Sequence, residues 1–569
     1  MLFRSRVVIA DASGNVIRTL TKPSNSGFAQ QEYKPSKVLV DKDDLVYVIA
    51  PAMYYGAMVY DQDGDFINFF GGNKVEGSIQ VAVDKIWKKL FPWTADTQAQ
   101  YVPVSPANFD IDPEGYIYTV TNASRDKTEI MSDQIKKFNA KGLNIFSSEL
   151  SDQFGEQQHS WAGQNGTPIQ SEFSDISIMK NDTFVAVDQK IGRLHVFDSE
   201  GNKLMIFGGI GNTPGTFSLP VAVESLDDTI YVLDQTNETV TIMKPTEYGS
   251  LVLDTTQLNN EGRYDEAQEG WMEIIQRSGG YFYAYTGVAK ALMGQNKYEE
   301  AMKYYKLGDS PKGYSQAFGE QRKISLKQWF PVIFILVILV IAWFLISDMR
   351  QRKIKEEVDP NKRNVFGKIT YTLFHPGEGS ISLTRNTSAK SLMIASVVIV
   401  AGWFIITVIS KLYTSFQFGG GNVDEFEFLP ILLQTFLIFA VWCIANWFVC
   451  TIMDSSARMT DIIMVSAVAL IPFVCGVLIT TIMSHFMTQD EAAFMSIVSS
   501  VTMIWSILIL LVGFKTIHEL SLLKTIFLIL IAIVAMFLIA FLAFLVFSLF
   551  QQITLFISQI WDEVSMMVR

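Results

Sequence analysis

The chain has 569 residues, a formal net charge of −12 and a hydrophobic share of 49%; at roughly 100–200 residues per domain, two to four domains are expected. Residues 1–328 carry 31 Lys and Arg against 42 Asp and Glu, whereas 329–569 carry 14 against 15. An acidic front half excludes a phosphate-backbone partner, and the apolar back half excludes a wholly soluble enzyme. The three cysteines, Cys443, Cys450 and Cys475, all lie in apolar runs. No disulfide framework or zinc set can be built from them, and no cofactor is expected.

From the N-terminus, four stretches (35–72, 106–147, 173–209 and 219–245) repeat one pattern of short alternating apolar runs joined by Asp-, Asn- and Gly-containing turns. Such alternation predicts hairpins, and a unit of about 40 residues with up to four strands predicts the blades of an all-β propeller. Residues 7–20 supply only half a unit, which suits a chain that begins inside a propeller or a half that closes its ring. The phrases MVYDQDGDFINFFGG (58–72) and LHVFDSEGNKLMIFGG (194–209) resemble NHL-type repeats, and the resemblance implies a propeller over 1–255. NHL-type lyases hold zinc with propeller histidines; the front half has only His159 and His195, so that chemistry is not expected. Asp61, Asp63 and Asp65 are spaced like the first ligands of an EF-hand, but residue 72 is Gly where a bidentate Glu is needed, so a hairpin turn is expected.

Two inserts interrupt the array. Residues 77–93 put Ile79, Val83, Ile86 and Leu90 on one helical face beside Trp87, Phe91 and Trp93, and 154–168 form a polar loop with His159 and Trp161. Loop aromatics of this kind cover a propeller surface, stack on a sugar or grip a partner. Trp87, Trp93, His159 and Trp161 are therefore the candidate binding residues.

Next, GRYDEA (262–267) recurs as NKYEEA (296–301), which sets Tyr264 and Tyr298 34 residues apart. Period and motif resemble the tetratricopeptide repeat and imply one and a half to two helical hairpins over 259–318, with Tyr264 and Tyr298 as candidate partner-binding positions. So few units rarely stand alone, so they are expected to pack on the propeller or continue into a partner.

Apolar runs at 329–346, 391–412, 429–452, 462–486, 494–514 and 525–550 predict six transmembrane helices. Twelve Lys and Arg fall in 347–390, 453–461 and 515–524, and none in 413–428 or 485–493. That asymmetry predicts a cytoplasmic linker at 347–390, with propeller, repeats and C-terminus outside. A large outer domain needs an export signal, and MLFRSRVVIADASGN lacks the apolar centre of one, so the natural chain is expected to begin upstream of Met1. The tail 551–569 is amphipathic, with Ile553, Phe556, Ile557, Ile560 and Val564 at helical spacing. It either continues the last span or fits a partner's groove.

The five helices over 391–550 resemble the bacterial branch of the Yip family. The likeness rests on FHPGEG (374–379), Asn446, Trp447, Asp454, Pro472, TQDE (488–491, with Glu491) and His518. It departs at Ser455-Ser456-Ala457, where the family often has glycines. These polar residues are expected to be structural, with Asn446 bonding a neighbouring helix. No nucleophile–base pair, phosphate loop or metal set can be assembled, so no catalytic residue is nominated and the protein is expected not to be an enzyme. The reading is a membrane-anchored scaffold or accessory subunit that docks integral membrane partners. The resemblance further implies a bacterial protein associated with a carbohydrate ABC importer. A glycan-binding receptor and a trafficking factor of Yip type are the alternatives.

Overall fold

The computed structural model describes residues 6–23, 33–50, 56–71, 106–121, 134–146, 154–155, 157–158, 169–180, 182–328, 364–420, 427–452 and 457–568. The chain divides into two units, Met1–Gln295 and Asn296–Arg569.

The first unit is β-sheet-rich, with several small antiparallel sheets. β1 (Val7–Ala10) and β2 (Val16–Leu20) form a hairpin, and β3 (Lys37–Val40), β4 (Val46–Ile49), β5 (Ala57–Tyr60) and β6 (Phe66–Phe70) a four-stranded meander. β7 (Asn108–Ile111), β8 (Ile117–Val120) and β9 (Ile135–Phe138) make a three-stranded sheet, and β10 (Gln157–Gln158) pairs with β11 (Ile169–Gln170). A second four-stranded meander is β12 (Phe173–Ile178), β13 (Thr183–Asp188), β14 (Arg193–Asp198) and β15 (Lys203–Gly208). β16 (Pro220–Leu226), β17 (Thr229–Asp234) and β18 (Thr239–Met243) close the series with three strands.

One turn device recurs through these sheets. Asp11, Asp41, Asp61, Asp112, Asn139 and Asp198 each accept the backbone N–H four residues on, from Asn15, Leu45, Asp65, Tyr116, Leu143 and Asn202. The residue just before that donor has positive φ; it is Gly at 14, 64, 115, 142 and 201, and Asp at 44. An Asx side chain closes the turn and glycine takes the left-handed conformation at no steric cost. Residues 61–65 are one such turn, joining β5 to β6 as expected.

The opening strands of successive sheets contact one another in the order β3, β7, β12, β16. Carboxylates join them: Asp110 Oδ2 accepts the Ile178 N–H at 2.7 Å, and Asp175 Oδ2 the Val223 N–H at 2.9 Å. Tyr118, Phe146, Phe154, Phe173, Phe184 and Phe197 fill the space between the β7–β9 and β12–β15 sheets.

Among the described residues, three helices complete this unit: α1 (Glu247–Asn260), α2 (Tyr264–Arg277) and α3 (Phe282–Gly294). α3 packs on the β14–β15 hairpin. Tyr281 donates to the Leu204 carbonyl at 2.7 Å, Tyr283 to the Asp198 carboxylate, and Lys290 Nζ lies 2.6 Å from Glu200. A Cβ added at Gly287 would fall inside the Trp271 indole, and one at Gly294 inside the Tyr264 ring. Glycine there lets α2 and α3 close on two large aromatics. Gly287→Ala is expected to cost about 2 kcal/mol through overpacking, read as a lowered Tm of the purified protein.

The second unit is helical: α4 (Tyr298–Leu307), α5 (residues 311–328), α6 (Val365–Phe374), α7 (Pro376–Arg385), α8 (Ala389–Tyr413), α9 (Phe428–Ile452), α10 (Met459–Met483), α11 (Ala492–Ile517) and α12 (Leu522–Val568). Among the described residues, five helices are long and apolar enough to cross a membrane, where six were expected. The sixth, 329–346, lies outside the described residues. The end of segment 347–390 is helical: Asn364 caps α6 through the Gly367 N–H at 2.8 Å, and Pro376 opens α7. α12 continues without a break through the tail to Val568, so the backbone gives 551–568 as an extension of the last span. α10 is central, with over half of its span buried against under a quarter in each of the others. It approaches α11 closely because Gly476 lies against Thr502, and Gly513 of α11 against Val465.

Candidate functional site

Polar side chains of the second unit gather in two places. The first is the loop between α10 and α11. Arg322 of α5 makes a bidentate ion pair with Glu491 at 2.7 and 2.8 Å, and its Nη1 also donates to the Phe486 carbonyl at 2.6 Å. Glu491 additionally accepts the Thr488 N–H at 3.0 Å, closing a capping box at the start of α11. The Gln489 N–H donates to Ser315 Oγ at 2.8 Å. Gln417 Nε2 donates to the Ser484 and Met487 carbonyls, and Gln489 Nε2 returns a bond to the Gln417 carbonyl. The Tyr314 ring stands edge-on to Phe416 at 5.4 Å. α5 is thereby fastened to both loops at that end of the bundle.

The second place is the bundle interior. Asn446 is fully buried, but its Nδ2 donates to Trp442 O of its own helix at 2.8 Å, and its Oδ1 has no partner among the described residues. The expected bond from Asn446 to a neighbouring helix is therefore not present. Trp442, one turn earlier, makes an interhelical bond, Nε1 to Ser466 Oγ at 3.1 Å. The physical reason is proximity, since the carbonyl four residues back is within reach of a short amide. Pro472 lies inside α10, which continues through it, and the next N–H, of Phe473, donates to Ser506 Oγ of α11 at 2.9 Å. His518 lies 3.5 Å from Cys450 Sγ and edge-on to Phe514. Arg458 caps α10 through Asp461 and reaches the Thr384 carbonyl of α7. Trp505 Nε1 donates to the Leu373 carbonyl of α6 at 3.0 Å. Trp447 is exposed on α9.

Asp454, Trp87, Trp93, His159 and Trp161 lie outside the described residues. Tyr264 is half-buried beside Gly294, and Tyr298 is half-buried with its hydroxyl 2.7 Å from Asn296. The sequence reading missed Arg322, Ser315 and Gln417. An arginine before an apolar run looks like an ordinary interfacial anchor, and nothing in its surroundings names Glu491.

Among the buried ionisable groups of the first unit are His195 and Asp175. His195 is fully buried between Phe173 and Phe197, and neither ring nitrogen has a partner among the described residues. Burial, reinforced by the charges of Lys203 and Arg193, holds its pKa down at about 3. Asp175 is pushed up to about 6 because burial outweighs Lys37 and the Val223 and Ile176 N–H groups. Among the described residues, no three His, Cys, Asp or Glu side chains are grouped to hold a metal ion.

These features define a membrane protein with a β-sheet-rich unit and a helical bundle. Residues 370–544 match the family model of the Yip1 domain. No curated protein matches the chain. Among solved structures, selenomethionine-substituted virginiamycin B lyase from Staphylococcus aureus is similar at 12% identity, with a TM-score of 0.20, over 37% of this chain and 70% of that chain. So low a score carries no argument about fold or activity.

Proposed function

We propose that the protein is a non-enzymatic scaffold or accessory subunit held in the membrane by its Yip1 domain. The observation that carries this reading is the character of the bundle. Among the described residues its five spans carry Asp, Glu, Lys and Arg only near their ends, whereas an ion or proton pathway needs such groups at depth. In the finer form of the proposal, the small sheets are blades of an NHL-type propeller. Their contacting opening strands and repeated Asx turns support that. α1–α4 are tetratricopeptide-like hairpins, supported by the 34-residue spacing of Tyr264 and Tyr298. The apolar run at 329–346 is long enough for a sixth span, and the Lys and Arg distribution supports a cytoplasmic 347–390 with the front half outside. A carbohydrate ABC importer as partner is the narrowest form and rests on the family resemblance.

Two measurements test this. In a cysteine-free background on intact cells, a membrane-impermeant thiol reagent is expected to label a Cys placed at 413–428 but not one at 350–370. The reverse pattern overturns the topology. Affinity purification of the full chain in mild detergent is expected to recover integral membrane proteins stoichiometrically. Importer subunits among them support the narrow form, and recovery of the chain alone overturns the scaffold.

A further inference from the structure

A cleft of about 410 Å³ opens between three helices of the bundle. Met393 and Val397 of α8, Phe436, Ala440 and Ile444 of α9, and Met459 of α10 line it. Its one hydroxyl, Ser396, is turned away to the Leu392 carbonyl at 2.9 Å. Such a wall offers no partner to a polar ligand, and Ala440, between two bulky neighbours on α9, leaves the gap.

Two cations stand at one end of this cleft. Lys390 is exposed one turn before Met393 and has no hydrogen bond or ion pair among the described residues. Arg458 immediately precedes Met459; its Nε and Nη2 are engaged by Asp461 and the Thr384 carbonyl, and among the described residues Nη1 has no hydrogen bond. Both lie where α8 and α10 begin, so both belong to the same end of the spans. An apolar slot ending in two cations matches a molecule with an acyl chain and an anionic head.

We propose that this cleft binds an anionic glycerophospholipid, its acyl chain along Ala440 and its phosphate between Lys390 and Arg458. Burial of the acyl methylenes and attraction of the anionic head to the two cations each contribute. The proposal does not depend on which side of the membrane this end faces.

Native mass spectrometry of the full chain in detergent, after incubation with dioleoyl phosphatidylglycerol or dioleoyl phosphatidylcholine, reads this directly. The wild type is expected to retain phosphatidylglycerol over phosphatidylcholine by about fivefold or more. Ala440→Phe fills the cleft and is expected to lower retention of both lipids by about tenfold. Lys390→Glu, a change at an exposed position, is expected to lower phosphatidylglycerol retention alone. It keeps the test decisive if Ala440→Phe fails to elute as a monodisperse species. Equal retention of the two lipids by the wild type overturns the proposal, as does retention indifferent to either variant. Failure of the wild type to hold any lipid overturns it as well and leaves the cleft to a protein helix.

Discussion

Between pH 7 and pH 4 the β-sheet unit is expected to lose about 3 kcal/mol of stability through His195 alone. The folded imidazole titrates at about 3, against about 6.5 for a free one. Between those values the unfolded chain binds a proton that the folded chain refuses. Stability from this group is therefore complete above about pH 6.5 and is lost progressively as pH falls toward 3. Asp175 acts with the opposite sign. Its raised pKa means the folded carboxyl keeps a proton that the unfolded one releases, so its contribution belongs to the acid side and fades as pH rises through about 6. The two slopes overlap between pH 4 and 6, and only a difference measurement separates them. His195→Phe removes one and leaves the other. Phe suits a position already stacked with Phe197 and edge-on to Phe173, and it eliminates two buried nitrogens without partners. The variant is expected to be about 1 kcal/mol more stable at pH 7 and to lose markedly less on acidification. Thermal denaturation of both proteins from pH 4 to pH 7 checks this. An identical fall in Tm for the two would show that His195 does not carry the slope.

The parts of this fold that could be read from the sequence are those set by local chemistry. An Asp or Asn three residues before a Gly between alternating apolar runs marks a closed turn, because its side-chain oxygen reaches the backbone N–H four residues on and accepts from it. The EF-hand-like spacing at Asp61 dissolves for the same reason, since Asp61 is committed to the Asp65 N–H. The spans were equally visible, because apolar length is itself the requirement for crossing a bilayer. Contacts between distant segments were not visible. Arg322 and Glu491 are 169 residues apart, and nothing local to either names the other. Gly476 and Gly513 read as tolerated glycines in apolar helices until the neighbouring Thr502 and Val465 show what they admit. Tyr264 illustrates a different limit. The 34-residue spacing marks a repeated position, but a repeat preserves packing as readily as binding, and the structure places this ring beside Gly294. Asn446 reads as an interhelical group because its backbone is satisfied and its amide is not.

Reversing both charges of the Arg322–Glu491 pair is expected to destabilise the bundle far less than the two single reversals added together. The pair is bidentate and charge-assisted, and its side chains are only 25% and 34% exposed, so solvent screens it incompletely. Arg322→Glu faces Glu491 with a like charge and forfeits the bond to the Phe486 carbonyl, a combined loss of about 3 kcal/mol after allowance for partial exposure. Glu491→Arg is expected to cost about the same, because the Thr488 N–H loses its acceptor as well. The double reversal restores the attraction with the partners exchanged and is expected to recover about half of the summed loss, the remainder being the two backbone bonds it cannot remake. Arg322→Lys retains the charge but not the fork, and about 1 kcal/mol of loss is expected there. Thermal unfolding of the wild type and these four variants in one detergent, at low and at high salt, measures the coupling directly. Salt should weaken it only in part, as suits a pair whose side chains are only partly exposed. Losses that simply add in the double variant would mean that α5 is held by Ser315, Tyr314 and their neighbours, with the ion pair contributing nothing.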